Sequence, residues 1–305
     1  MSVRPTAIVF FHCGKLPSYL LSAMESARVF NPKTPILLVT DQDKDIPSLG
    51  VEAVSLQDTS HPDLPRFRSI YRHIASTNEE YERRCFERWF HIDQLIKDRN
   101  LSRVAYLDSD CLLFSGADEL FSLMPDKTMC ASRHGGPACT LIRGSLEPFL
   151  ELILEKFGDA DYLRVKERLL TEAEATGSMS NLTDMDLIEL FTTVHDGGHV
   201  YPNNFSIGHI DHCLNLPDGM ESLEIRHRKR RRKKVFWVQE GDMLKPFFRD
   251  NESGRKIPAL AIHYQSGAKR LIRRFNHADG RYFLPQIVRL SFFRWLHGGW
   301  GSQYI

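Results

Sequence analysis

Four short apolar runs, each followed by a polar turn, alternate with helical stretches over the first 125 residues. That rhythm constrains the fold more than anything else in the chain. Ala7–Phe11 lies between Pro5 and Gly14 and is apolar at every position, as a strand buried on both faces must be. Pro17 opens a helical stretch to about Phe30, with Leu20, Leu21, Met24, Ala27 and Val29 at helical spacing. Asn31-Pro32-Lys33-Thr34-Pro35 ends it, and Ile36–Val39 follows as a second buried strand running into Thr40-Asp41. Val51–Leu56 is a weaker strand. Residues 79–99 form a helix with Tyr81, Cys85, Phe86, Trp89, Ile92, Leu95 and Ile96 on one stripe, and Val104–Leu107 is the fourth strand. The pattern predicts an α/β protein with a mostly parallel sheet flanked by helices. Ligands of such sheets bind beyond the carboxyl ends of the strands, where His12, Asp41 and Asp108 to Asp110 fall.

The second half predicts a smaller, mixed subregion. Met129–Arg133 and Cys139–Ile142 read as strands, residues 145–176 as one helix with a charged face, and 183–195 as a helix capped by Thr183. Val200–Tyr201, Val235–Val238 and Ala259–His263 read as further strands. Residues 270–300 mix Arg270, Arg273, Arg274, Arg281, Arg289 and Arg294 with Phe, Trp and Leu. The expected organisation is a single catalytic domain over 1–269, with halves 1–125 and 126–269, and a basic, aromatic extension over 270–305.

Composition narrows the class. The 305 residues are 42% hydrophobic and 26% charged, as in a folded protein. The net charge of +1 hides the run Arg226-His227-Arg228-Lys229-Arg230-Arg231-Arg232-Lys233-Lys234, which holds eight of the 40 basic residues. The remainder, 32 bases against 39 acids, is acidic, so the chain is no nucleic-acid-coating protein. The run reads as a solvated hairpin loop. Ala7–Phe11 is too short for a signal-peptide core, and no apolar stretch reaches the ~18 residues of a spanning helix. Six cysteines without a Cys-x-x-Cys pair read as reduced and mostly buried. These features lead to the expectation of a cytoplasmic protein.

The sharpest chemical signal is Tyr106-Leu107-Asp108-Ser109-Asp110. Residues i and i+2 at a strand end face one way with Cα atoms roughly 6–7 Å apart. Two such carboxylates can share one hard divalent cation through bonds of about 2.1–2.2 Å, and without a cation they repel. An Asp-Ser-Asp turn or helix cap would look the same. A second signal is His263-Tyr264-Gln265-Ser266-Gly267-Ala268-Lys269 at the end of a strand. Imidazole suits manganese-like ions, Gly267 lets backbone approach a phosphate, and Lys269 offers it a point charge; a core histidine beside a helix start is the plainer alternative.

Asp108-Ser109-Asp110 after an apolar strand, with the late His263 and Lys269, resembles the nucleotide-sugar-dependent glycosyltransferases of the GT-A fold, a Rossmann-type architecture. The nearest likeness is to glycosyltransferase family 8 and its bacterial relatives. His12 with Leu16-Pro17, Ser76-Thr77-Asn78 before Phe86-Glu87-Arg88-Trp89-Phe90, Thr183-Asp184-Met185 and Ile210-Asp211-His212 extend the resemblance over residues 7–269. One departure is plain: the family reads His-x-x-Gly-x-x-Lys, and here Ser266 displaces the glycine by one position. The metal and phosphate roles keep their spacing, and the backbone contact loses its residue.

The resemblance implies a metal-dependent hexosyltransferase with a UDP-sugar donor and retention of anomeric configuration. Asp108, Asp110 and His263 would hold Mn2+ or Mg2+, with Asp108 also contacting the donor. Gly267, Lys269, Arg84 and Arg88 would face the diphosphate, and His12 and Asp41 would line the nucleoside pocket. Asp184 would face the donor sugar or stabilise its cationic transition state, with Asp186 beside it, although both also sit where a helix N-terminus favours a carboxylate. Asp211 and His212 fit either acceptor contact or core packing. A zinc site over His209–Cys213 lacks a closed ligand set.

The acceptor is expected to be a glycan, a lipid-linked group or a protein. The run 226–234 and the segment 270–300, with Phe292, Phe293, Trp295 and Trp300, allow peripheral membrane contact as readily as a solvated loop and packing against the sheet. Two competitors stand beside this reading. A nucleotidyltransferase would need a glycine-rich activation loop, yet His12-Cys13-Gly14-Lys15 has one glycine. A non-catalytic RNA- or membrane-binding protein would work through 226–234; nucleic acid is the less favoured partner.

Overall fold

The structure is a computed structural model that describes residues 5–42, 49–176, 182–225, 230–240 and 243–272. It divides into two compact units interleaved along the chain. The first takes the chain up to Lys15, Pro35–Leu107 and Leu120–Tyr201; the second takes Leu16–Thr34, Asp108–Glu119 and the chain from Pro202.

The first unit is built on a seven-stranded sheet in the order Val51–Ser55, Ile36–Thr40, Thr6–His12, Arg103–Leu107, Cys139–Arg143, Met129–Ala131, Gly198–Val200. The first four strands are mutually parallel, with Phe10 opposite both Leu38 and Leu107. Cys139–Arg143 runs antiparallel to both of its neighbours, and Gly198–Val200 pairs parallel with Met129–Ala131. This is the mostly parallel α/β sheet that the apolar runs predict. The continuous runs end up buried on both faces because helices cover them.

The helix Glu79–Asp98 starts at Asn78, whose side chain accepts from the Tyr81 N–H at 3.1 Å, and carries Glu79, Glu80 and Glu82 in its first turn. Its stripe buries Phe86, Trp89, Phe90, Leu95 and Ile96, while Tyr81, expected on that stripe, is exposed. Tyr81 belongs to the first turn, before the stripe meets the core. Phe67 lies within 5.2–6.0 Å, ring centre to ring centre, of Phe86, Phe90, Phe157 and Tyr71, and so joins three helices.

The single helix expected over 145–176 is two, Glu147–Gly158 and Ala160–Thr176. Asp159 adopts an extended conformation, and its carboxylate accepts from the backbone N–H groups of Asp161 and Tyr162 at 3.0 Å, starting a second helix. The expected strand Met129–Arg133 stops at Ala131, because a tight turn with His134 at φ 63° follows.

The second unit carries an antiparallel sheet, Phe236–Glu240, Met243–Arg249, Lys256–His263, Cys111–Leu113, with His209–Asp211 parallel to Lys256–His263. The helix Ser18–Phe30 packs in this unit. Its buried Ser26 hydroxyl accepts from the Leu113 N–H, and the Asn31 amide meets the Ser115 carbonyl and the Ala117 N–H. These three bonds tie the helix to the strand and the segment after it in one register.

The basic run corrects an expectation. Arg230–Lys233 is a strand paired antiparallel with Ser222–Ile225, and Lys233 is wholly buried. Residues 226–229 and 273–305, on which much of the expected membrane contact falls, lie outside the described residues. No helix among the described residues is long and apolar enough to cross a membrane. All six cysteines are free. Four are buried, and burial pushes the Cys139 thiol up to about 12, so it stays protonated and inert.

Phe67→Ala should lower the stability of the first unit by about 3–5 kcal/mol, because three helices lose their shared ring and keep a cavity. Urea unfolding followed by tryptophan fluorescence measures it; an unchanged midpoint would contradict the packing described.

Candidate functional site

The site in the second unit forms where two strands meet. Cys111–Leu113 pairs with Lys256–His263 so that Cys111 lies opposite His263, and the Tyr264 N–H donates to the Asp110 carbonyl at 3.0 Å. This pairing brings residues 150 positions apart to one place. The Nε2 of His263 stands 3.3 Å from Asp110 Oδ1 and 4.0 Å from Asp108 Oδ2. Lys269 Nζ lies 3.0 Å from Asp110 Oδ2 and 5.2 Å from the ring centre of Tyr19.

The histidine is held for one task. Its Nδ1 lies 2.6 Å from the His212 carbonyl, an acceptor only, so Nδ1 carries the proton and Nε2 is the atom turned to the carboxylates. Burial disfavours a charged His263 ring, but Asp110, followed by Asp108, outweighs burial and carries its pKa up to about 9. Burial likewise opposes a charged Asp110, and His263 with Lys269 holds it below the usual carboxylate range nonetheless. The pocket therefore keeps two acids and compensates them with two cations.

Asp108, Asp110 and His263 form the only group of three or more potential ligands found among the described residues, with one atom from each within 4.8 Å of the others. An octahedral shell with bonds of about 2.1 Å spaces neighbouring ligand atoms by about 3 Å and opposite ones by about 4.3 Å. The two separations from His263 Nε2, 3.3 and 4.0 Å, fall in that range. Two carboxylate oxygens and one imidazole make a mixed ligand set for a divalent cation, and Asp108 remains partly exposed, leaving one side open. The residues fit a divalent cation.

Gly267 lies in the turn Ser266–Ala268, and a Cβ at this position would meet nothing within 4 Å. The residue with left-handed backbone is Ser266, at φ 55°. The conformation that favours glycine thus falls on Ser266, the position that glycine takes in the motif quoted above, and not on Gly267.

The remaining expected residues lie in the first unit. His12 Nε2 stands 3.2 Å from the Lys15 carbonyl, and Asp41 accepts from the Gly14 N–H at 2.7 Å and the Gln42 amide at 2.9 Å. Burial works against the Asp41 charge, and those hydrogen bonds still hold its pKa below the ordinary value. Arg84 faces buried Glu87 at 3.3 Å, an acid that Arg68 also grips through two nitrogens. Asp184 is buried. One of its oxygens accepts from both Nε and a terminal nitrogen of Arg88 and, at 2.9 Å, from Trp89 Nε1. Arg88 also donates to Tyr106 Oη at 2.8 Å. Asp186 accepts from the N–H and hydroxyl of Thr183 at 2.9 Å and pairs with Lys166 at 3.0 Å, so it closes the helix start.

Sequence reasoning missed the support behind His263. Asp211 is fully buried and accepts the His263 backbone N–H at 3.3 Å, and His212 supplies the carbonyl that sets the tautomer. Of the two readings of Asp211, packing in the core is the observed one. Tyr19 and Lys233 were also missed, since neither sits in a recognisable motif.

Comparison with protein families and with curated proteins returns no match. Solved structures do match, and those described here are glycosyltransferases. The galactosyltransferase LgtC, in complex with donor and acceptor sugar analogues, is 15% identical, covers 94% of this chain and 95% of its own, and superposes with a TM-score of 0.44. Mouse xyloside xylosyltransferase 1 is 10% identical over 65% of this chain and 85% of its own, TM-score 0.39. GlyE of Streptococcus pneumoniae TIGR4 is 16% identical over 68% of this chain, TM-score 0.37; the chain spans 47% of that structure's length.

A cation that binds His263 must displace the proton from Nε2. Manganese affinity measured by calorimetry should therefore rise with pH and level off above about 9. Asp110→Asn should lose the affinity at every pH. A flat pH profile or undiminished binding by the variant would contradict the ligand set.

Proposed function

We propose that this chain is a metal-dependent glycosyltransferase that moves a hexose from a nucleotide sugar, a UDP-sugar, to a glycan, lipid-linked or protein acceptor. The observation that carries the reading is the convergence of Asp108, Asp110, His263 and Lys269 on one open-sided pocket. The resemblance to family 8 supplies the uridine preference and retention and supports residues 1–269 as one catalytic domain with an extension beyond; the cytoplasmic setting rests on the sequence features above.

In this reaction the bond between the anomeric carbon and the diphosphate oxygen breaks, and the electron pair leaves with the diphosphate. The acceptor oxygen forms the new bond and gives its proton to the departing diphosphate oxygen. A divalent ion, Mn2+ or Mg2+, held by Asp108, Asp110 and His263 supplies charge neutralisation for the departing diphosphate. Lys269 adds a cation that exchanges its Asp110 contact for a phosphate, and the backbone near Gly267 approaches the same group. Arg84 and Arg88 are assigned to the diphosphate and sugar, His12 and Asp41 to the nucleoside. Asp184 is assigned to the donor sugar. The Arg88 and Trp89 donors fix the direction of its carboxylate, as facing a bound sugar requires. Asp186 sets the helix start that carries Asp184.

The binding-module alternative loses support from the basic run itself. Lys233 and Lys234 are engaged by Asp211, Asp218 and Glu221, so two of its eight cations are internally compensated.

Incubation with a panel of nucleotide sugars and manganese should reveal slow hydrolysis of one donor, lost on chelation and in Asp110→Asn. Lys269→Ala should weaken UDP binding by about tenfold, the loss of one charge-assisted contact of about 1.5 kcal/mol. A panel with no metal-dependent hydrolysis, and UDP binding unaffected by Lys269→Ala, would contradict the proposal.

A further inference from the structure

The segment Asp211–Leu214 encloses His263 on several sides. The Asp211 carboxylate accepts its backbone N–H at 3.3 Å, the His212 carbonyl meets its Nδ1 at 2.6 Å, and the Leu214 N–H donates to its carbonyl at 3.1 Å. Every polar group of His263 except Nε2 is thus fixed by this one stretch of chain. The stretch is in turn tied down by Lys233. Its backbone N–H donates to the Leu214 carbonyl at 2.9 Å, and its ammonium donates to Asp211 Oδ1 at 2.7 Å, the Cys213 carbonyl at 2.9 Å and Asp218 Oδ2 at 2.5 Å. Those three acceptors use all three ammonium protons of a wholly buried side chain.

We propose that Lys233 is a positioning residue for the metal ligand His263, acting through the segment Asp211–Leu214. This rests on the reading of Asp108, Asp110 and His263 as ligands. Stability alone accounts poorly for the arrangement, because a buried ion pair is seldom more stabilising than apolar residues of the same volume. What the pair does provide is direction. One Asp211 oxygen is held by Lys233, which leaves the other aimed at the His263 N–H, and the Cys213 and Leu214 carbonyls are held in the same grip. Without the ammonium, buried Asp211 would keep only His209, whose Nε2 stands 3.8 Å from Oδ1, as a charge partner among the described residues. It would turn or take up water, and the imidazole would lose the frame that points Nε2 at the two carboxylates.

The test is a manganese titration by calorimetry on the full chain, at a temperature where circular dichroism shows each protein folded. Lys233→Met should bind manganese about 10- to 100-fold more weakly than wild type, the usual effect of removing support behind a metal ligand. Asp93→Asn, which weakens a buried carboxylate that holds Ser145 and Leu146 in the first unit, should be destabilised yet keep wild-type affinity. If Lys233→Met does not fold, Asp211→Asn with Lys233→Met leaves no lone buried charge and should show the same loss. Wild-type affinity in the folded Lys233 variant, or an equal loss in Asp93→Asn, would overturn the proposal. Wild-type protein that takes up no manganese would instead overturn the metal reading, and this inference with it.

Discussion

The arrangement of the second unit depends on forcing Asp108 and Asp110 to share a pocket with oxygen atoms from both within 4.8 Å of the same imidazole nitrogen. At an effective dielectric constant of about 20, two unit charges at that separation repel by about 3.5 kcal/mol. A fold stable by only about 5–15 kcal/mol does not keep such a repulsion uncompensated. His263 and Lys269 answer it, and both are bound to their places by the strand Lys256–His263 and the turn after it. A divalent cation answers it more fully, which makes the pocket a competition between one proton on His263 and a metal.

The first unit meets a comparable problem by another route. Asp184 is buried with Arg88, Trp89 donates to Asp184, and Tyr106 accepts from Arg88. Arg88 also lies 5.3 Å from the Trp89 ring centre and 5.4 Å from that of Tyr106, so its guanidinium is surrounded by aromatic faces as well as by its acid. That geometry holds one Asp184 oxygen between the Arg88 guanidinium and the Trp89 indole N–H.

Much of the parallel sheet was legible because a strand buried on both faces must be apolar at every position. Ala7–Phe11, Ile36–Val39 and Val104–Leu107 each matched a strand to within two residues at either end. The acid pair of the candidate metal site was legible because two carboxylates interrupting two apolar runs have few uses. Elements dictated by tertiary partners were not legible. His209–Asp211 is too short to carry a period, and Met243–Arg249 contains Pro246, which argues against a strand until its neighbours are known. Lys233 was hidden for a physical reason: in a run of eight bases nothing marks the one that meets buried Asp211. The division of 145–176 was hidden in Gly158-Asp159, a helix stop and start that read as part of one charged face.

The central claim is that one imidazole from His263 and carboxylates from Asp108 and Asp110 bind the same divalent ion. Pulsed electron paramagnetic resonance on the manganese-loaded protein tests it directly, because a nitrogen bonded to manganese modulates the spin echo. The account predicts modulation from a single imidazole nitrogen in the wild type and its disappearance in His263→Ala, with weak manganese binding remaining through the carboxylates. Manganese bound without nitrogen coupling, or with coupling that persists in His263→Ala, would contradict it.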